Sequence, residues 1–331
     1  MECKELEQLI NRKYKNLEGL VAMQSGEVIY EKYFQKSSKE STFHIFSATK
    51  SIVAILIGIA IDKGYIEGVH QKILDFFPEY QVKGADDTIC KVTLEDMLTM
   101  MVPYRYRRGP YKKFFTSEDW VKFGLDMIGG KGRIGDFFYA GLIGPDIFTG
   151  ILQRATKQSV LEFARENLFQ PLGIEVGAPV YWESKKEQME WYHTPNPTGW
   201  VVDPQGVNTG GWGLSLRAAD MAKLGQLMLA KGVYQGKRIV SAAWIEACTK
   251  AHSAWRVNRK LTLQYGYLWW LSGEEDHSFA AMGDGGNVIY VNPAKDRVIA
   301  IASSFQPRAK DRMQLIQQYL NPTFDELNTQ E

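Results

Sequence analysis

The sequence Phe43-His44-Ile45-Phe46-Ser47-Ala48-Thr49-Lys50-Ser51 leads directly into ten consecutive apolar residues at positions 52–61. An apolar run with no polar side predicts a helix that is buried on every face rather than one lying on the surface. The run is too short to cross a bilayer, which takes about 20 apolar residues. Ser47 and Lys50 therefore stand at the start of a helix in the protein interior.

The spacing between Ser47 and Lys50 is that of two side chains on one helix face. A lysine in a poorly hydrated environment loses proton affinity and can accept the proton of a neighbouring hydroxyl. This pattern is typical of a serine hydrolase that forms an acyl-enzyme. Spacing and burial alone leave a second interpretation open, in which Ser47 caps the helix and Lys50 is exposed in its first turn.

Composition narrows the class of protein. The 331 residues predict about two domains or one large two-part domain. A hydrophobic content of 45% and a charged content of 23% allow a large core and exclude a disordered chain. The net charge of +1 provides no general attraction to nucleic acid or to an anionic membrane, so neither partner is expected.

The three cysteines, Cys3, Cys90 and Cys248, are far apart and odd in number, which favours reduced thiols. The charged N-terminal segment lacks the apolar core of a secretion signal. Together these features predict a cytoplasmic protein.

Strand patterns lie near both ends of the chain, at residues 19–24, 27–34, 287–292 and 297–302. They predict one antiparallel sheet built from both termini, with a helical region inserted between them. We expect an α/β sheet domain from residues 1–69 and 200–331, and a mainly helical domain from residues 70–199. The helical patterns fall at residues 4–15, 159–168, 216–231, 240–250 and 308–320.

Residues 43–51 resemble the first motif of the serine β-lactamase-like and penicillin-binding-protein superfamily. The resemblance is to its class C-like branch, which includes family VIII carboxylesterases, D-amino-acid amidases and peptidases, and 6-aminohexanoate-oligomer hydrolases. It covers nearly the whole chain, with order and spacing preserved. The other matching segments are Thr93-Leu94-Glu95-Asp96-Met97-Leu98-Thr99-Met100, residues 163–174, Gly211-Trp212-Gly213-Leu214, residues 220–227 and Tyr265-Gly266-Tyr267-Leu268-Trp269-Trp270.

The resemblance implies a β-lactamase-like fold: an antiparallel sheet flanked by helices, an inserted all-helical domain, and an active site between the two parts. It also implies that Tyr139, in Tyr139-Ala140-Gly141, is the phenol that shares proton transfer with Lys50. The family has an asparagine where this chain has Gly141. That asparagine helps to hold the lysine and a substrate amide, so its absence argues against strong β-lactamase activity.

The third family motif matches Asp284-Gly285-Gly286, followed by Asn287 at the start of a strand. The resemblance implies that the backbone amides of Ser47 and Asn287 form the oxyanion hole, with Asp284, Gly285 and Gly286 beside the substrate. Asp284 stands where the family has a cationic residue. This difference argues against anionic substrates and for neutral or cationic ones. A glycine-rich hairpin turn without a catalytic role is the alternative.

Three further features of the sequence do not indicate an additional function. The basic and aromatic segment 104–113 is interpreted as a loop at the rim of the cleft rather than a nucleic-acid surface, since the net charge is near zero. The five histidines show no metal-ligand spacing, and we expect neither a metal nor a cofactor. Trp212 is a candidate wall for an apolar acyl group.

These observations predict a serine hydrolase that acts on a small-molecule ester or amide through an acyl-enzyme on Ser47, assisted by Lys50 and Tyr139. Carboxylic esters are the first expectation because an alkoxide leaves more readily than an amine. An amidase, peptidase or β-lactamase-type hydrolase is the second expectation. A non-catalytic sensor that becomes acylated once is the third.

Overall fold

The computed structural model describes residues 2–256, 262–272 and 276–328. Its helices in chain order are α1 (Cys3–Lys13), α2 (Ala48–Asp62), α3 (Leu94–Leu98), α4 (Tyr111–Phe115), α5 (Trp120–Met127), α6 (Asp146–Thr156), α7 (Val160–Ala164), α8 (Lys185–Trp191), α9 (Ala218–Leu229), α10 (Ala242–Thr249), α11 (Arg312–Leu315) and α12 (Asn321–Asn328). Its strands are β1 (Leu17–Gln24), β2 (Glu27–Tyr33), β3 (Thr42–His44), β4 (Pro179–Val180), β5 (Trp200–Val201), β6 (Ser215–Arg217), β7 (Val233–Tyr234), β8 (Lys237–Arg238), β9 (Ser253–Arg256), β10 (Thr262–Tyr265), β11 (Trp270–Leu271), β12 (Phe279–Gly283), β13 (Asn287–Asn292) and β14 (Arg297–Ser303).

The main sheet has eight antiparallel strands in the order β2-β1-β14-β13-β12-β11-β10-β9. The first and last strands of the chain lie side by side, with Leu20 opposite Ile301 and Val21 opposite Ala300. The predicted sheet built from both termini is therefore confirmed. Strand alternation sends successive side chains of β1 to opposite faces of this sheet.

The two faces of the sheet bury two different cores. Leu20 and Ile301 pack with α1 and with the helices at the C-terminus, where Leu6 and Phe324 are fully buried. Val21, Met23 and Ala300 face the larger core that contains α2 and α9. This larger core continues without interruption into the helical part of the chain. The sheet thus lies between two helical layers, and α2 belongs to the inner one.

Helix α2 is buried along nearly its whole length, since every residue from Ala48 to Ala60 is shielded from solvent. It lies between β12 of the sheet on one side and α6 and α10 on others. This confirms the helix predicted from the apolar run at residues 52–61. The side chains at its first turn consequently lie deep in the molecule.

The described elements between residues 70 and 199 are helical apart from β4. The domain boundaries at residues 69/70 and 199/200 stay a prediction. Helix α7 begins after a capping box between Ser159 and Glu162 and continues through a widened helical turn, Arg165–Phe169. The last helix was predicted at residues 308–320, but it begins at Arg312, where Asp311 caps the free amides, and it continues to Asn328.

In the part of the chain that the structure describes, no helix combines the length and the apolar character needed to cross a membrane.

Candidate active site

Ser47 lies where the chain turns from β3 into α2. Phe46, the residue before it, has a φ of +48°, in the left-handed region that a bulky side chain rarely adopts. The Ser47 side chain makes no capping hydrogen bond to the helix. The turn therefore directs the hydroxyl away from the helix backbone and leaves it free for other partners.

Lys50 lies on the same face of α2, and only 1% of its surface is exposed. Its Nζ is 2.9 Å from Ser47 Oγ and 2.9 Å from the carbonyl oxygen of Gly211. Burial lowers the pKa of Lys50 to about 7, and the negative charges of Asp284 and Asp146 oppose part of that shift. A neutral amine can donate to Gly211 and accept the proton of Ser47 at the same time, so the geometry fits a general base.

Tyr139 reaches the same hydroxyl from the helical part of the chain. Its phenol makes a side-chain hydrogen bond with Ser47, and its ring centroid is 5.4 Å from Lys50 Nζ. Burial raises the pKa of Tyr139 to about 12, and the charge of Asp284 adds to this effect. The phenol is therefore protonated at neutral pH. Of the two groups beside Ser47, Lys50 is the stronger candidate for the base, and Tyr139 is suited to donate or relay a proton.

Gly211 belongs to a loop whose backbone is held by a buried carboxylate. Asp146, at the start of α6, accepts a 2.7 Å hydrogen bond from the Gly210 amide and another from the Gly211 amide. Only 2% of Asp146 is exposed, and burial raises its pKa to about 7. A side chain on Gly210 would overlap the Pro145 carbonyl oxygen, so this close approach requires glycine. Asp146 thereby fixes the carbonyl that accepts from Lys50.

Sequence reasoning missed Asp146. The available signal was a single carboxylate among apolar residues in the stretch Leu142-Ile143-Gly144-Pro145-Asp146-Ile147-Phe148. A charged residue rarely enters such a run unless it has a partner inside the protein.

His44 holds the same loop from the opposite side. Its Nε2 accepts a hydrogen bond of 3.1 Å from the Gly213 amide. Its ring packs edge-on against Phe46 and Trp191, with centroid distances of 3.9 and 4.3 Å. Burial lowers the pKa of His44 well below its usual value, so the ring is neutral. His44 is a structural support for the loop and for Phe46.

Gly141 lines the cavity above Ser47 and leaves open space where the family that the sequence resembles has an asparagine side chain. A Cβ built on Gly141 meets no atom within 4 Å. A Cβ built on Gly211 would lie 3.0 Å from the Gly141 carbonyl oxygen, so the two backbones are close neighbours. In this chain the backbone carbonyl of Gly211 is the second hydrogen-bond acceptor for Lys50.

The glycine-rich third motif forms the turn between β12 and β13. Asp284 lines the pocket around Ser47, together with Gly283, whereas Gly285, Gly286 and Asn287 are not among the lining residues. The Asn287 side chain is fully buried and donates to the carbonyl oxygens of Asp284 and Ser303, at 2.8 and 3.3 Å. It thus ties the turn to β14 from behind the pocket.

Glycine at position 283 allows the end of β12 to approach Ser47 closely. A side chain at Gly283 would overlap the Ile45 carbonyl oxygen and lie 3.1 Å from the Ala48 amide nitrogen. The end of β12 therefore packs directly against the turn that carries Ser47, with Asp284 next along the chain. This contact depends on glycine at position 283, which lies one residue before the predicted motif.

We call the cavity above Ser47 the Ser47 pocket; its volume is about 560 Å³. Trp212 is in its wall, and Tyr111 shows that the basic and aromatic segment 104–113 contributes to its rim. A cleft of about 620 Å³ elsewhere, beside Tyr80 and Arg154, contains no nucleophile with a base. The described lining residues are Phe46, Ser47, Tyr111, Tyr139, Gly141, Leu142, Tyr192, Trp212, Trp255, Leu263, Trp270, Met282, Gly283, Asp284 and Phe305.

Metal chemistry has no candidate centre within residues 2–256, 262–272 and 276–328. No group of three or more histidine, cysteine, aspartate or glutamate side chains in these ranges could hold a metal ion.

Residues 11–321 match the model of the Beta-lactamase family, and this chain belongs to that family. The 6-aminohexanoate-dimer hydrolase of Paenarthrobacter ureafaciens is 22% identical over 316 residues, which cover 87% of this chain and 72% of that protein. The family, with its esterase, amidase and penicillin-binding-protein neighbours, makes the chain a hydrolase of the serine β-lactamase-like superfamily.

Two solved structures illustrate the fold. A penicillin-binding protein homologue from Caulobacter crescentus has a TM-score of 0.69 and 18% identity, covering 92% of this chain and 91% of its own. A family VIII carboxylesterase has a TM-score of 0.68 and 16% identity, covering 92% of both chains. At these identities the likeness concerns the fold, and it confirms the predicted β-lactamase-like architecture.

Proposed function

We propose that this protein hydrolyses carboxylic esters through an acyl-enzyme formed on Ser47. The observation that carries the proposal is the 2.9 Å contact between Ser47 Oγ and a Lys50 amine that is almost completely buried. Burial lowers the pKa of that amine to about 7, so a large fraction is neutral at physiological pH. A hydroxyl paired with a neutral amine is an activated nucleophile.

Acylation begins when Lys50 takes the hydroxyl proton and Ser47 Oγ forms a bond to the ester carbonyl carbon. The carbonyl π electrons move to oxygen, giving a tetrahedral oxyanion. Collapse of this intermediate re-forms the carbonyl and breaks the bond to the alkoxide. The proton held by Lys50 passes to that alkoxide, and the Tyr139 phenol is placed to relay it. An alcohol leaves, and the acyl group remains on Ser47.

The oxyanion needs two backbone donors, and we propose the amides of Ser47 and Asp284. Sequence reasoning proposed Asn287 as the second donor. Three observations support the revision: Gly283 packs against the turn carrying Ser47, Asp284 lines the pocket, and Asn287 does not. The Asn287 side chain instead keeps the Asp284 carbonyl in place.

Deacylation repeats the same steps with water as the nucleophile. Lys50 takes a proton from water, hydroxide adds to the acyl carbon, and the carboxylic acid leaves as Ser47 recovers its proton. Activity therefore requires Lys50 to be neutral at the start of each half-reaction. We expect kcat/KM to fall about tenfold per pH unit below the pKa of Lys50 in the free enzyme.

Esters are favoured over amides because the pocket has Gly141 where the family has an asparagine. An amide substrate has an N–H to satisfy and a poorer leaving group, and Gly141 has no side chain to help with either. An amide remains the second candidate, since the curated relative is named for the hydrolysis of 6-aminohexanoate dimer. The open space at Gly141 allows this reasoning to be tested directly.

The primary experiment measures turnover of p-nitrophenyl acetate and butyrate, of p-nitroacetanilide and of nitrocefin. The wild-type protein should hydrolyse the esters fastest, and Ser47→Ala should lose at least about a thousandfold in kcat/KM. A fluorophosphonate probe followed by tryptic mass spectrometry should label Ser47. A label on another residue would refute the assigned nucleophile.

Other outcomes separate the candidate functions. Faster turnover of the anilide than of the ester would replace the ester proposal by the amide one. Stoichiometric labelling of Ser47 without turnover of any substrate would favour a sensor over an enzyme. Gly141→Asn should raise the ratio of amide to ester turnover, whereas Gly141→Ala, which also adds a side chain, should leave that ratio unchanged.

A further inference from the structure

The Ser47 pocket combines one carboxylate with an aromatic wall. Eight of its 15 described lining residues are aromatic, and Asp284 is the one carboxylate among them. No lysine or arginine is found among those lining residues. The described part of the chain contains no ion-pair partner for the Asp284 side chain.

The aromatic residues include three tyrosines, and the charge of Asp284 affects the pKa values of two of them. Burial raises the pKa of both Tyr139 and Tyr192 to about 12, and the negative charge of Asp284 adds to each shift. Both rings are therefore neutral phenols within the electrostatic field of one carboxylate. The face of a neutral aromatic ring is electron-rich and attracts cations.

The Lys50 amine lies under the pocket and is engaged elsewhere. Lys50 does not line the pocket, and its amine contacts Ser47 and Gly211. Above pH 7 it is mostly neutral, because burial lowers its pKa to about 7. The described lining of the pocket consequently favours a cationic ligand, since a carboxylate and the faces of aromatic rings both attract positive charge.

We propose that the Ser47 pocket binds an ammonium group of the substrate between Asp284 and the aromatic ring faces. The preferred substrates are then esters that carry a protonated or quaternary amine on the acyl group or on the alcohol. This inference rests on the proposed ester hydrolysis at Ser47 and specifies its substrate class. It also gives Asp284 a role that a neutral ester would not use.

The test uses pairs of esters that differ by one charge and have the same shape. In the acyl pair, p-nitrophenyl 4-(trimethylammonio)butanoate is compared with p-nitrophenyl 5,5-dimethylhexanoate. In the alcohol pair, butyrylcholine is compared with 3,3-dimethylbutyl butanoate. Each kcat/KM at pH 8 and low salt is divided by the rate constant for hydroxide-catalysed hydrolysis of the same ester, which removes differences in intrinsic reactivity.

The measured ratio is the normalised kcat/KM of the cationic ester divided by that of its neutral partner. We expect this ratio to be about ten in at least one pair, because one cation–π contact and one partly exposed charge pair together would give a preference of that size. The ratio should fall to about two in Asp284→Asn and should also fall in 0.5 M NaCl, since salt screens an exposed carboxylate. Asp87→Asn changes the net charge equally at an exposed position outside the pocket and should keep the wild-type ratio.

Ratios within twofold of one for both pairs, or a wild-type ratio in Asp284→Asn, would overturn the ammonium site. If both esters of a pair are hydrolysed and the ratio is one, the proposal of ester hydrolysis at Ser47 is still supported. Failure to hydrolyse any ester would refute both ester hydrolysis and the ammonium site. A binding measurement on the wild-type protein avoids any folding defect of the variant. Tetramethylammonium chloride should inhibit hydrolysis of p-nitrophenyl acetate competitively, and sodium chloride at equal ionic strength should not.

Discussion

Replacing Lys50 by methionine should make the protein more stable while ending catalysis. The pKa of Lys50 falls from 10.5 to about 7 on folding because the side chain is buried. At 1.36 kcal/mol per pKa unit, the charged form is disfavoured in the folded state by about 5 kcal/mol. Methionine has a similar length and no charge, so it removes this penalty. The Ser47 hydroxyl and the Gly211 carbonyl then lose their hydrogen bonds to Lys50, and this loss destabilises the folded state by about 1–3 kcal/mol.

The difference is a net stabilisation of about 2–4 kcal/mol at pH 6. Its pH dependence follows from the direction of the pKa shift. Between pH 7 and 10.5 the unfolded chain binds more protons at Lys50 than the folded protein does, so wild-type stability rises with pH across this window. The advantage of Lys50→Met should therefore be largest below pH 7 and should change sign toward pH 10.5, where only the loss of the Lys50 hydrogen bonds remains.

Urea unfolding followed by tryptophan fluorescence at pH 6, 8 and 9.5 measures this difference. Lys63→Met, at the exposed C-terminal end of the same helix, removes the same charge and should change the midpoint little at each pH. The kcat/KM for p-nitrophenyl acetate should fall about a thousandfold in Lys50→Met. A variant that is less stable than the wild type at pH 6, or whose stability difference does not change with pH, would refute a desolvated lysine at this position.

Three further changes test neighbouring parts of the structure. Tyr139→Phe should lower kcat about a hundredfold in steady-state ester assays without altering the melting temperature, and a loss below threefold would exclude proton transfer by the phenol. Gly58→Ala should destabilise the fold by about 1–3 kcal/mol in urea titrations, because the new methyl group would overlap the Trp244 indole; a more stable variant would contradict that packing. Asp146→Asn removes a carboxylate whose negative charge raises the pKa of Lys50, but burial raises the pKa of Asp146 itself to about 7, so the acid limb of the kcat/KM profile should move to lower pH by less than about one unit; an unmoved limb would refute this coupling.

The local parts of the site could be predicted from the sequence. Ser47 and Lys50 are three residues apart on one helix, so their proximity follows from helix geometry. The apolar run after them predicts burial, and burial predicts a lysine with a lowered pKa. The strand patterns at both ends predict the antiparallel sheet, since each pair of segments consists of runs of strand-forming residues separated by a short turn sequence.

Other features depend on contacts between distant segments. Asp146 reaches Gly210 across 64 positions of sequence, and no periodicity indicates that contact. The pocket position of Asp284, one residue after Gly283, depends on how the end of β12 packs against the start of α2. The motif pattern alone pointed to Asn287, which the fold places behind the turn.

The sequence by itself therefore determined that Ser47 and Lys50 lie together, that one buried helix carries both, and that the sheet is built from both ends of the chain. The tertiary structure decided which carbonyl accepts from the Lys50 amine, which carboxylate holds the loop carrying that carbonyl, and which aromatic rings surround Asp284 in the pocket. The reason is physical. Hydrogen-bond periodicity and burial act over a few residues and leave a pattern in the chain, whereas packing joins segments whose separation in sequence has no fixed relation to their distance in space.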